Sequence, residues 1–191
     1  MSKLKDKKED FWEHWIQKKY LPEDMLKNVM GFWKKLLNLH KVKTKKCLEI
    51  GSGHGIRTEI LNGIFSYITC VDPLQSLIEA LKSRNYKNVA STHVMKGEKF
   101  KNDIKYDMVC FTFVLPFMDQ KKAMSMAYRQ LKSGGHLLVM EPLHLARKVS
   151  GKTKDAMMEN MRLLNTTRKF SMISMGLIGK SSGLYYLLKK I

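Results

Sequence analysis

Three glycines spaced two apart, in the run Cys47-Leu48-Glu49-Ile50-Gly51-Ser52-Gly53-His54-Gly55, are the residues of this chain best suited to holding a ligand. Glycine reaches backbone angles that other residues avoid, so such a run turns tightly and presses its N–H groups against a bound nucleotide or anion. A dinucleotide-binding loop would carry its third glycine where this chain has Ile56, so the G-x-G-x-G spacing marks a different nucleotide-type loop. The second chemical group is Asp72, which closes the apolar run Tyr67-Ile68-Thr69-Cys70-Val71 seventeen residues beyond Gly55. A carboxylate there can accept from two ribose hydroxyls. It can also serve as N-cap of the helix that Leu74, Leu77, Ile78 and Leu81 predict, with Pro73 at the first helical position.

Strands that end at these groups, and helices that leave them, must do the positioning. Apolar runs predict a strand into the glycine loop, then strands at Tyr67–Asp72, Val89–Val94 and Tyr106–Leu115. Leu131-Lys132-Ser133-Gly134-Gly135-His136 reads as a turn into a fifth strand that ends at Met140-Glu141-Pro142. Helices are expected from Ile56 to Ile64, and from Asp119 as N-cap to Leu131. Ahead of the first strand, Phe11, Trp12, Trp15, Ile16 and Tyr20 form one helical stripe. Met25, Val29, Phe32, Trp33 and Leu36 form a second, after Pro22. Ala156–Leu164 reads as a methionine-rich helix. Phe170–Ile178 and Leu184–Leu188 read as two strands of a hairpin around Gly179-Lys180-Ser181-Ser182-Gly183.

These landmarks, in this order, resemble class I S-adenosylmethionine-dependent methyltransferases. The glycine run with Glu49 ahead of it is similar to that family's first motif. Tyr106-Asp107 before apolar residues is similar to its fourth strand, and Leu131 to Pro142 to its turn into the fifth. The likeness covers residues 45–145 by motif and the flanks by architecture. It implies an α/β fold, a Rossmann-like, mostly parallel seven-stranded sheet with helices on both faces and a C-terminal antiparallel hairpin whose last strand inserts between its neighbours. It also implies S-adenosylmethionine as cofactor and S-adenosylhomocysteine as product. The positions it assigns to cofactor binding are Glu49, Gly51, Ser52, Gly53, Gly55, Asp72, Pro73, Met95, Lys96 and Phe111, with Glu49 and the glycines on the amino-acid part and Asp72 on the ribose. One position departs from the family: no Asp follows the third strand, where Met95-Lys96-Gly97-Glu98 stands instead. Either a backbone group near Met95 and Lys96 reads the adenine, or Glu98 does so from a shifted loop.

Methyl transfer from a sulfonium is an in-line displacement, so the protein mainly aligns and desolvates the acceptor. A general base is required only for a protonated acceptor, and Glu141, His144 and His14 are the candidates, each also readable as a structural or solvated residue. His54 either touches the cofactor carboxylate or faces solvent, while His93 and His136 read as structural. In the family, exocyclic-amine enzymes acting on nucleic-acid bases carry a D-P-P-Y or N-P-P-Y motif after the fourth strand; Phe113-Val114-Leu115-Pro116-Phe117 lacks it, and no Pro-Cys dipeptide appears. The chain therefore resembles the branch that methylates small molecules and assorted other acceptors. The alternatives are an RNA methyltransferase recruited by basic flanks, and a non-catalytic methyltransferase-like binding partner.

At 191 residues the chain suits one domain: a helical cap or lid at 1–44, a cofactor-binding core at 45–145, and a C-terminal helix and hairpin at 146–191. The charged first residues and the lack of any apolar run of roughly twenty residues predict a soluble, cytoplasmic protein. Cys47, Cys70 and Cys110 fall in strand patterns without C-x-x-C spacing, the six histidines show no paired spacing, and no metal is expected. The net charge is +18. There are 13 basic residues against 6 acidic in 1–46, 12 against 9 in 47–145, and 10 against 2 in 146–191. Such flanks suit a phosphate-rich partner such as RNA, although lysine outnumbers the arginine that specific recognition favours, and the excess also fits a general lysine bias. Gly151-Lys152-Thr153 and Gly179-Lys180-Ser181 echo a P-loop ending but lack its earlier glycine.

Overall fold

The computed structural model describes residues 23–142, 169–178 and 183–191. The first predicted helix, His14, His144, the basic stretch after Leu145, the Ala156–Leu164 helix and both P-loop-like tripeptides lie wholly or partly outside them. In chain order the elements are α1 (Glu23–Leu39), β1 (Lys46–Ile50), α2 (Ile56–Asn62), β2 (Tyr67–Asp72), α3 (Gln75–Ser83), β3 (Val89–Val94) and β4 (Tyr106–Thr112), followed by α4 (Gln120–Gln130), β5 (Leu131–Pro142), β6 (Phe170–Ile178) and β7 (Gly183–Lys190).

The seven strands form one sheet in the order β3-β2-β1-β4-β5-β7-β6. β1 to β5 pair in parallel, and β7 runs antiparallel to both β5 and β6. The last strand thus inserts between its neighbours, as the resemblance implied. Central strands covered on both faces must be apolar throughout, and every residue of β4 is buried. One face carries Leu48, Ile50, Val109, Phe111 and Val139 against Ala123, Met124 and Ala127 of α4. The other carries Cys47, Met108, Cys110, Leu138 and Met140 against Trp33 and Leu37 of α1 and Ile60 and Leu61 of α2. Edge-on ring contacts at 5.2–5.6 Å between centroids join Phe32, Trp33 and Tyr185, which fixes α1 to the β7 side of the sheet.

Asp107 ties three strands together at their N-terminal ends. Its Oδ2 accepts the Lys46 N–H at 2.9 Å and its Oδ1 accepts Lys132 Nζ at 2.7 Å. At the opposite edge, the order of strand addition reverses between β1 and β4: successive strands build outward through β2 and β3, then return to β4 on the other side of β1. Ligands of open α/β sheets bind in the crevice outside the strand ends at such a switch point. β4 is shorter than its apolar run suggests, because Phe113 takes a left-handed φ of 59° and Leu115–Phe117 coil into a 3-10 turn. The three cysteines are buried and unbridged, with Cys47 and Cys110 sulfurs 3.6 Å apart. Among the described residues no helix is long and apolar enough to cross a membrane.

Candidate functional site

β1 delivers the chain to Ile50, and the next five residues turn it onto α2. Gly51, Gly53 and Gly55 take positive φ, at 77°, 53° and 93°. The turn is pinned from both neighbours of β1. Gly51 N–H donates to Val71 O at 2.8 Å, and Thr112 Oγ1 at the end of β4 donates to Gly51 O at 2.9 Å. A Cβ at Gly51 would stand 2.6 Å from Val114 Cβ, so the close approach of the β4 edge requires glycine. Gly53 is the opposite case: a Cβ there would meet no atom of the described residues within 4 Å. Beside it Ser52 is 4% exposed, and its hydroxyl has no hydrogen-bond partner among the described residues.

Asp72 joins β2 to this loop. Its Oδ2 accepts the Gly53 N–H and its Oδ1 the Leu74 N–H, both at 3.0 Å. Burial raises its pKa, and the two N–H groups hold it down. α3 begins at Gln75 behind Leu74, so Asp72 is not its N-cap and Pro73 is not its first residue. The carboxylate instead closes a short turn on Leu74 before the helix starts. Each carboxylate oxygen keeps accepting capacity beyond its one backbone bond.

Glu49 lies beneath the loop with no exposed surface. Thr58 Oγ1 donates to its Oε2 at 2.7 Å, and Thr112 Oγ1 stands 3.4 Å from its Oε1. Burial pushes its carboxyl up to about 7, against the hydrogen bonds of Thr58, Thr112 and Cys70 and the charge of Arg57. Its side chain therefore braces the loop, α2 and β4 from below. Met95 N–H donates to Asp72 O at 3.0 Å, Lys96 is exposed, and Gly97–Lys99 form a 3-10 turn with Glu98 half-buried.

Phe111, which the resemblance assigns to cofactor binding, is fully buried inside β4 in the same apolar cluster as Ile50, Val109 and Val139. The ring at the sheet edge belongs to Phe113, whose N–H donates to Met140 O at 2.9 Å. The Arg57 guanidinium sits over that ring, 4.6 Å from its centroid. His54 is half-buried, with its pKa lowered by burial and then by Arg84. Glu141 is 4% exposed at the end of β5; burial and then the Glu141 charge push Tyr186 up to about 12. Among the described residues no cluster of three His, Cys, Asp or Glu side chains could hold a metal ion.

A glycine turn at a parallel-sheet switch point, an acid closing the adjacent strand and an antiparallel last pair are thus combined in one chain. A family profile described as "Methyltransferase domain" matches residues 17–176. The chain belongs to this methyltransferase-domain family. No curated protein matches it in sequence. Among solved structures it is similar to the N-methyltransferase NodS from Bradyrhizobium japonicum WM9, at 17% identity and TM-score 0.68, over 89% of this chain and 99% of that one. It is similar to an S-adenosylmethionine-dependent methyltransferase from Clostridium acetobutylicum ATCC 824, at 11% identity and TM-score 0.70, over 98% and 99%. A third likeness is to the plantazolicin methyltransferase BpumL in complex with a pentazolic desmethylPZN analog and S-adenosylhomocysteine, at 12% identity and TM-score 0.72, over 98% and 92%. At these identities the structures show the fold, which is that of class I methyltransferases. In this methyltransferase, sequence reasoning missed Arg57, Thr58, Thr112 and Phe113. Thr58 and Arg57 were visible as polar residues on the helix that leaves the glycine loop. Nothing local announced the turned backbone of Phe113.

Proposed function

We propose that the protein is an S-adenosylmethionine-dependent methyltransferase that binds its cofactor across the glycine loop and Asp72 and transfers the methyl group to a small-molecule acceptor. The observation that carries this reading is the pairing of Gly53 with Asp72: the glycine backbone and the carboxylate are joined by one 3.0 Å hydrogen bond, so loop and strand end present a single surface. The orphaned Ser52 hydroxyl beside it is a buried polar atom that a ligand's polar group would satisfy. S-adenosylmethionine, when bound, supplies a methyl group already activated on a sulfonium. The chain's part is to hold the nucleoside and amino-acid ends, align the acceptor and exclude water.

In this reading Asp72 accepts the ribose hydroxyls with its remaining lone pairs, while Gly51, Ser52, Gly53 and Gly55 receive the amino-acid part and Glu49 keeps the loop in shape from below. Pro73 and the backbone of Met95 and Lys96 border the adenine end. The small-molecule preference rests on the turn after β4, where Leu115 is buried and no amide or acid stands between Phe113 and Phe117 to hold a base nitrogen. A cytoplasmic location belongs to the same reading.

Calorimetric titration tests it. S-adenosylmethionine and S-adenosylhomocysteine should both bind the protein, and NAD should not. Asp72→Ala should weaken S-adenosylhomocysteine by roughly 10- to 100-fold, the loss expected when a charged acceptor is removed. Unchanged affinity in that variant would remove Asp72 from the ribose, and no binding by the unaltered protein would remove the cofactor assignment.

A further inference from the structure

The first turn of α2 places a second charged group beside the glycine loop. Arg57 is only partly exposed, its guanidinium lies on the Phe113 ring, and it borders the apolar side chains of Trp33, Leu37, Met108 and Met140. A guanidinium carries five N–H donors in a fixed fork. Among the described residues no oxygen accepts a hydrogen bond from any of them. Glu49, whose charge acts on Arg57, accepts its short hydrogen bond from Thr58 and, among the described residues, none from the guanidinium. A cation drawn into a protein without an acceptor costs stability. The platform beneath it is itself strained, since Phe113 holds a left-handed φ that bulky residues avoid, and such strain concentrates at ligand sites. Both residues stand where β1 and β4 end, at the switch point of the sheet.

We propose that Arg57, stacked on Phe113, is the carboxylate receptor of this site. The fork matches a carboxylate in two parallel hydrogen bonds, and the aromatic face holds its plane fixed. Two sources can bring that carboxylate: the amino-acid end of the cofactor, or an acid group on the methyl acceptor. The inference rests on the cofactor reading above and assigns its amino-acid or acceptor side to a residue outside the glycine run.

The experiment titrates the unaltered protein, Arg57→Met and Arg57→Lys with two ligands. S-adenosylhomocysteine carries the carboxylate; 5′-methylthioadenosine keeps the nucleoside and lacks the whole amino-acid group. The expected result is that Arg57→Met loses roughly 10- to 100-fold in affinity for S-adenosylhomocysteine and nothing for 5′-methylthioadenosine, with Arg57→Lys in between because an ammonium cannot fork. That outcome assigns the cofactor carboxylate. If Arg57→Met binds both nucleosides as before, the S-adenosylhomocysteine-loaded proteins are titrated with benzoate and benzamide. A preference for benzoate that Arg57→Met abolishes assigns an acceptor carboxylate, and no such preference overturns the proposal. Equal loss of both nucleosides in Arg57→Met, restored by Arg57→Lys, makes Arg57 a structural counter-charge and also overturns it. If the unaltered protein binds neither nucleoside, the cofactor reading itself falls, and this inference falls with it.

Discussion

Glu49 occupies the position at which an acid is expected to meet the cofactor, yet its carboxylate is enclosed by Thr58, Thr112 and Cys70. Burial dominates its titration, which moves from an ordinary 4.5 to about 7 in the folded protein. The folded state therefore binds this proton more tightly than the unfolded chain does. The resulting stabilisation is complete below pH 4.5 and is lost as the pH rises through about 7. A shift of this size corresponds to roughly 3 kcal/mol over that window. Glu49→Gln keeps an acceptor for Thr58 and removes the titration. Denaturant melts of the two proteins from pH 4 to 8 should show the variant gaining on the original as pH rises, by up to about 3 kcal/mol. A constant difference across that range would mean that Glu49 titrates alike in the folded and unfolded chain, so that burial does not raise its pKa.

At the scale of elements, the clamp formed by Asp107 makes a separate prediction. Its carboxylate holds the first N–H of β1 and the Lys132 side chain of β5, and it is 3% exposed. Asp107→Ala leaves the Lys46 N–H without its acceptor and should cost about 1–3 kcal/mol. For a chain of this size that lowers the melting temperature by roughly 2–4 °C per kcal/mol. Asp107→Asn still offers an oxygen to Lys46 and should lose less, which calorimetry of the three proteins checks. The same elements show which features are legible in sequence. β1, β2, β4 and the Leu137–Met140 part of β5 were readable because strands buried on both faces must be continuously apolar, and the hairpin of β6 and β7 because its two runs flank a glycine-rich turn. The left-handed Phe113, the late start of α3 and the enclosure of Glu49 were not. Each depends on groups distant in sequence: Met140 and Arg57 on Phe113, the loop N–H of Gly53 on Asp72, and Thr112 on Glu49. The glycines and Asp72 stand out from spacing alone, whereas nothing in the sequence around Arg57 shows that the fold puts an aromatic face beneath it.

Over the whole molecule, the +18 charge bears on which acceptor is brought to the site. Most of it lies in residues 1–46 and 146–191, and Lys41, Lys43 and Lys45 stand exposed just ahead of β1. A protein of this charge attracts any polyanion, and neutralising phosphates releases counterions, so binding to RNA by this route falls steeply with salt. With six or more phosphates contacted, affinity for a single-stranded twenty-nucleotide RNA should drop about three-hundredfold or more between 50 and 200 mM salt. S-adenosylhomocysteine carries no phosphate, so its affinity should change by less than about twofold over the same range. The small-molecule reading expects weak RNA retention that vanishes near physiological salt and shows no preference for sequence. Measured by fluorescence anisotropy, tight RNA binding that survives 200 mM salt and depends on sequence would instead make the flanks a recognition surface and RNA the acceptor. Lysine favours the first outcome, because an ammonium is attracted as a point charge, whereas fixed recognition of bases draws on the arginine fork this chain uses sparingly.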